Sequence, residues 1–324
     1  MKQHLTTLRI AATFAVVMLH ISAGLLFSFE KNGLEYWWYG NIVDSFTRWS
    51  VPIFFMISGA LLLNKVEEAG YFYRKRLKKI AIPFLFWSLF YLILQYIVHN
   101  MSLSTLMKKA VDAPYYHLWF LFAILGLYLV TPLLQRWMQV TPKGMLFLFI
   151  VFWIFNSAII PLFTRFTDLD IRFRVPLAIE YIGYFVMGHY LEKYKPKLTA
   201  WLFPIGLVIT IFGTYYLTAM NDGMFDRFFY GYFTLNVLLM SVGIFVFFQK
   251  HPIKIPFQAF LDKYSFGVFL VHALILTLLN QKLHINATFV HPVVGIVVTM
   301  SITLPISYLI IWAISKVPYL KRII

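Results

Sequence analysis

Ten runs of about 20 mostly apolar residues divide this sequence, and that is the length an α-helix needs to cross the hydrocarbon core of a bilayer. They fall at 5–28, 45–64, 80–98, 117–135, 144–162, 176–191, 200–219, 228–248, 265–281 and 293–315. Inside lipid each backbone N–H and C=O must be satisfied within its own segment, so runs of this length read as helices. The expected fold is an all-α, polytopic membrane bundle of about ten transmembrane helices, forming one domain over 1–324. Composition agrees: the chain is 60% hydrophobic and 13% charged, where soluble domains run near half and a quarter. The first run lacks a small-residue cleavage site and reads as a retained helix.

The net charge of +15 would suggest a nucleic-acid partner in a soluble protein. Its distribution gives another reason, and nucleic acid is not expected as a partner. With the N-terminus in the cytoplasm, eighteen of the 28 Lys and Arg fall on inside segments, nine fall outside, and Arg9 lies within the first run. That bias is the positive-inside pattern, and it puts both termini in the cytoplasm. The strongest cluster is YRKRLKK, Tyr73–Lys79, ahead of the third run; setting topology and touching anionic lipid would alone explain it. Outside, Glu30, Glu35, Asp44, Asp112, Asp168, Asp170, Asp222 and Asp226 gather with Arg165, Arg172 and Arg174. That face reads either as ordinary solvated loops or as a surface for a polar substrate such as a glycan. There is no cysteine, which excludes disulfides and thiolate metal sites.

Ionisable groups inside spans are costly and mark function when they face a cavity. Arg9 and His20 lie eleven residues apart, so on a helix they share one face at depths about 16 Å apart. Histidine titrates near pH 6.5 and can accept and return a proton. Arg9 is satisfied by snorkelling, or serves as a fixed cation for a phosphate-bearing ligand from the cytoplasm. In RWSVPIFFMISG, Pro52 can kink the helix, Ser58 and Gly59 permit close helix packing, and Arg48 sits at the outer end. In YYHLWFL, Trp119 reads as interfacial belt and His117 as a candidate for an outer-side site. In YSFGVFLVH, Ser265 is an N-cap or a site residue on the same face as His272, which lies deeper. Glu180 is the one acid placed within a span, and should face a partner or a cavity. His189 and Lys193 read as interfacial. No P-loop, HExxH, GxSxG or metal-ligand spacing occurs, so no metal is expected.

Taken together, Arg9-x10-His20, VPIFFMISGALLL, the basic run Tyr73–Lys79 followed by Pro83, HLWFLFAILGLYLVTPLL and YSFGVFLVH resemble the acyltransferase-3 family of membrane-bound acyltransferases, which O-acylate bacterial glycans. The resemblance spans most of the chain. It implies a single integral membrane acyltransferase domain in the cytoplasmic (inner) membrane, with Arg9 and His20 as the active-site pair. It implies a cytoplasmic acyl-CoA donor, most simply acetyl-CoA, met by Arg74, Arg76 and Lys79, where relatives often have Arg at the last position. Arg48, Ser58, His117, Trp119, Glu180 and His272 are then candidates for contacting substrate. The expected partners are a glycan acceptor, membrane lipids and envelope-polysaccharide enzymes. Many relatives add an SGNH-type esterase domain, which this sequence is expected to lack. His20 would act as general base on a sugar hydroxyl or as an acyl relay. Two other classes stay open at this stage: a transporter or exporter of a polysaccharide precursor or amino acid, with the buried Arg, His and Glu as a proton relay, and a structural subunit of a wall-polymer assembly.

Overall fold

The computed structural model describes residues 2–27, 29–99, 101–167 and 177–324. Asp168, Asp170, Arg172 and Arg174 of the expected outer polar face lie outside them. The described chain is helical throughout, with no strand. Its α-helices are α1 (Gln3–Ser22), α2 (Phe29–Asn32), α3 (Leu34–Thr47), α4 (Ser50–Leu62), α5 (Ala69–His99), α6 (Leu103–Asp112), α7 (Trp119–Val140), α8 (Lys143–Ile154), α9 (Ile160–Phe166), α10 (Leu177–Tyr194), α11 (Leu202–Met220), α12 (Leu235–Lys250), α13 (Gln258–Lys282) and α14 (Pro292–Lys316). Among the described residues nine spans are long and apolar enough to cross a membrane. They correspond to the expected runs other than the sixth. That run forms α10, whose 18 residues carry Glu180, Glu192 and Lys193.

The chain divides into two compact units. One comprises the chain up to Leu61 with Pro142–Tyr308; the other comprises Leu62–Thr141 with Leu309–Ile324.

In the first unit α1 packs along α13, and also on α3 and α12. Two contacts fix the direction: Arg9 meets Asp262, and eleven residues on, His20 meets His272. The two helices therefore run parallel. At the far end of α10, Glu192 pairs with Lys2 and His4, so α10 ends on the side where α1 begins. It also runs antiparallel to α8, with Phe147 on Tyr190 and Trp153 under Glu180. Both observations make α10 a further crossing beside those nine, which gives ten among the described residues.

Gly59 and Gly188 let α4 and α10 touch backbone to backbone. A Cβ on Gly59 would sit 1.7 Å from the Phe185 carbonyl oxygen, and one on Gly188 would sit 2.0 Å from that of Met56. Small residues permit this approach between membrane helices. At the other end of the unit Trp37, Leu26 and Tyr230 form a buried cluster ringed by Phe29, Trp38, Tyr215 and Phe225.

In the second unit α5 absorbs the whole basic run into its first turns. Glu68 caps it, its carboxylate accepting from the N–H groups of Gly70 (2.9 Å) and Tyr71 (2.8 Å). Pro83 sits inside α5. Leu85, Leu89, Ile93 and Ile97 line one exposed stripe at four-residue spacing, as a lipid-facing helix requires.

Candidate functional site

The second crossing begins eleven residues earlier than the sequence pattern suggests, and this relocates Arg48. The span runs Leu34–Leu62, so Arg48 lies at its midpoint and not at an outer end. The stretch WWYGNIVDSFTR is too polar to read as a span. Part of its polar set pairs internally, which lowers the cost of burying it. Asp44, expected in an outside loop, is fully buried and forms an ion pair with Arg48 one turn away. The Arg48 guanidinium lies 4.2 Å over the Tyr230 ring and donates to the Tyr230 carbonyl at 3.5 Å. The Tyr230 hydroxyl donates to Asn41 Oδ1 at 2.7 Å, and Asn41 Nδ2 donates to the Ile211 carbonyl at 3.0 Å. Removing one member of such a pair strands the other charge, so Asp44 and Arg48 stand or fall together.

The helix is interrupted at this point. Residues 48–49 form a turn between α3 and α4. Pro52 lacks the N–H that would bond the Arg48 carbonyl. Thr47 Oγ1 donates back to the Asp44 carbonyl at 2.9 Å, and Trp49 Nε1 to the Phe46 carbonyl at 2.7 Å. Side chains that satisfy their own helix end in this way favour termination there. The expected kink at Pro52 is thus a break four residues earlier.

His20 and His272 meet in the interior of the same unit. Their ring centroids are 5.4 Å apart, with planes 23° from parallel. His272 is fully buried. Its Nδ1 lies 3.2 Å from the Val268 carbonyl, one turn back on α13. A carbonyl only accepts, so the proton resides on Nδ1 and the lone pair on Nε2. Toward the start of α1, Arg9 Nη1 pairs with Asp262 Oδ1 at 3.2 Å, with both side chains partly exposed. Between Arg9 and His20 on the same face, Thr13 and Val16 are buried.

Other expected residues fall elsewhere. The Ser58 hydroxyl donates to the Phe54 carbonyl of its own helix at 2.8 Å. Ser265 lies inside α13, donating to Leu261 at 2.7 Å, and is not an N-cap. The Glu180 carbonyl accepts from Trp153 Nε1 at 2.6 Å. His189, expected at the interface, is 1% exposed, and neither ring nitrogen has a partner among the described residues.

The remaining expected residues belong to the second unit. His117 is buried among the rings of Tyr91, Tyr115 and Tyr116, at 5.3, 5.8 and 5.4 Å. Trp119 opens α7 beside Phe120. Arg74 and Lys79 are exposed on α5, whereas Arg76 is held at 3.6 Å from Glu67, which also takes Lys65 at 3.2 Å. Burial pushes the Glu67 carboxyl up, but Lys65 and Arg76 outweigh it and hold the group below the usual glutamate range.

The sequence reading missed Asp44, Asp262 and Tyr230. The first was detectable: Asp44 and Arg48 have the i, i+4 spacing of a helical ion pair. Asp262 and Tyr230 come from distant segments, and spacing carries no trace of them.

No curated protein and no solved structure matches the chain. A family model described as an acyltransferase domain matches residues 3–312, which takes in most of both compact units and all of the crossings but the end of α14. The chain, a multi-pass helical membrane protein with two stacked histidines and a buried arginine in its interior, belongs to the acyltransferase-3 family.

Proposed function

We propose that this protein transfers an acyl group from cytoplasmic acyl-CoA, acetyl-CoA in the simplest case, to a hydroxyl of a cell-envelope or exported glycan, in the cytoplasmic membrane. The observation that carries this reading is the His20–His272 stack inside a chain of an acyltransferase family. A proton acceptor held at mid-membrane depth is what a hydroxyl needs to attack a thioester delivered from the other side.

In the proposed sequence exposed Arg74 and Lys79 on α5 are the candidates for meeting CoA phosphates. Arg9 on α1 is a separate candidate cation. His20 takes the proton of the sugar hydroxyl as its oxygen bonds to the acyl carbon. When the C–S bond breaks, the proton passes to the departing thiolate. The transfer needs no protein nucleophile. His272 fixes the orientation of the His20 ring. Envelope-polysaccharide enzymes would supply the acceptor.

Cells deleted for this chain and complemented with wild type or His20→Ala test the reading. Ester-linked acyl groups on the envelope glycan return with wild type and stay absent with His20→Ala. Restoration by His20→Ala at equal protein level contradicts it.

A further inference from the structure

Helix α6 is too short to cross a membrane, and none of its ten residues is buried. Leu103, Met107 and Val111 are 72%, 65% and 76% exposed. At about 100° per residue, Leu103, Leu106, Met107, Ala110 and Val111 fill one arc of about 140°. Ser104, Thr105, Lys108, Lys109 and Asp112 fill the opposite arc. A fully segregated helix with no buried residue needs a partner for its apolar arc.

The neighbouring elements say what that partner is. Leu106 and Lys109 are the two partly covered residues of α6, and they lie where the two arcs meet. The helix packs on α5, and Lys109 Nζ donates to Gln95 Oε1 of α5 at 2.8 Å. Contact along that boundary leaves the apolar arc facing one way past α5 and the polar arc facing the other. Gln95 is 3% exposed and lies inside the crossing Ala69–Val98, so the bond holds α6 level with the end of that crossing. Gln95 Nε2 also donates to the Pro114 carbonyl at 2.6 Å, just beyond the end of α6. Three residues join α5 to α6, and six join α6 to α7, so both neighbours in the chain are crossings. Tyr96, next to Gln95, and Tyr116, between α6 and α7, are both exposed, as rings at the headgroup level are.

We propose that α6 lies flat in the membrane surface opposite the basic run of α5, with its apolar arc in the acyl boundary of that leaflet and Lys108 among the headgroups. The partner is the phospholipid leaflet, and α6 continues the lipid-facing surface that Leu89, Ile93 and Ile97 begin on α5. A helix free in water has no use for the segregation, and a helix docked under protein would bury its apolar arc. The proposal rests on the fold alone and stands or falls separately from the acyl-transfer reading.

The chain has no cysteine, so single cysteines can carry nitroxide spin labels without altering other positions. Leu103→Cys, Met107→Cys and Val111→Cys are compared with Ser104→Cys, Thr105→Cys and Lys108→Cys in purified full-length protein in phospholipid nanodiscs. All six sites are exposed, so the substitutions leave the packing intact. Power-saturation EPR reads access to oxygen, which concentrates in lipid, and to a water-soluble nickel chelate. The ratio of oxygen to chelate access is expected to be at least about threefold higher at the three apolar-arc labels than at the three polar-arc labels. Equal ratios on the two arcs place α6 in water and overturn the proposal. Apolar-arc labels closed to both reagents mean that protein covers the arc, with dipolar broadening between labels marking a second copy, and this also overturns it.

Discussion

His20 and His272 stack at 5.4 Å across two parallel helices, and Arg9 and Asp262 pair eleven residues back along the same seam. The seam holds a cation near one membrane surface and a proton acceptor deeper in. Its parallel direction requires an even number of helix reversals between α1 and α13, which is why α10 counts as a crossing despite its three charges.

If His272 orients the His20 ring, its loss shows in turnover and not in donor binding. His272→Ala is expected to lower kcat by roughly 10- to 100-fold with the KM for acyl-CoA little changed. His272→Gln, which keeps polarity but not the stack, falls between. Steady-state kinetics in vesicles check this, and an unchanged kcat in His272→Ala refutes the positioning role.

The Arg9–Asp262 pair is partly exposed, and such pairs contribute about 0–1 kcal/mol to stability. Arg9→Ala is therefore expected to shift the melting temperature by only a few degrees while raising the KM for acyl-CoA about tenfold. Asp262→Asn should leave that KM within about twofold. An unfolded Arg9→Ala protein, or an unaltered KM, contradicts this division.

The basic run splits by exposure. Arg74 and Lys79 are free to meet an anion at the surface, and their alanine variants should raise the KM for acyl-CoA about fivefold at low salt, with the difference fading at high salt. Arg76 is tied to Glu67, whose carboxyl is held below its usual range. A depressed carboxyl stabilises the fold above the unfolded value, about 4.3, and that contribution is lost as pH falls through the lower folded value. Melting temperature should thus drop on acidification below about pH 4, and Glu67→Gln should blunt that drop. Equal acid sensitivity in the variant would show that Glu67 makes no such contribution.

Gly59 offers a packing test. A methyl group there would overlap the Phe185 carbonyl, which is backbone and cannot rotate aside. Gly59→Ala should cost at least about 1–3 kcal/mol, measured as a fall in melting temperature and expression. A variant as stable as wild type would mean that α4 and α10 do not touch there.

Much of the architecture was legible because lipid allows few options. Apolar runs of spanning length must be helices, and loop charges assign their sides, so nine of the ten expected runs reappear as crossings by length and apolarity. The same rule blurred the second crossing. Its first half carries Asn41, Asp44, Ser45 and Arg48, and their mutual pairing, invisible to a hydropathy pattern, is what lets them enter the membrane. His20 and Arg9 were legible from their shared face. His272 was one of several candidates for a place near them, but that it is the one stacked on His20 was not legible, because α13 reaches α1 only through the fold, across some 250 residues of chain. Arg48 was noticed for its charge but assigned to the wrong depth, since Pro52 drew attention away from the break at residues 48–49.

Transfer of labelled acyl groups by the reconstituted protein tests the central claim most directly. Vesicles containing the purified chain receive radiolabelled acetyl-CoA on the face bearing the basic run and envelope glycan on the other. The account predicts ester-linked label on the glycan at a rate that falls at least about 100-fold in His20→Ala, with the melting temperature preserved. Label reaching the glycan equally well in His20→Ala, or glycan crossing the membrane with no CoA released, would contradict it.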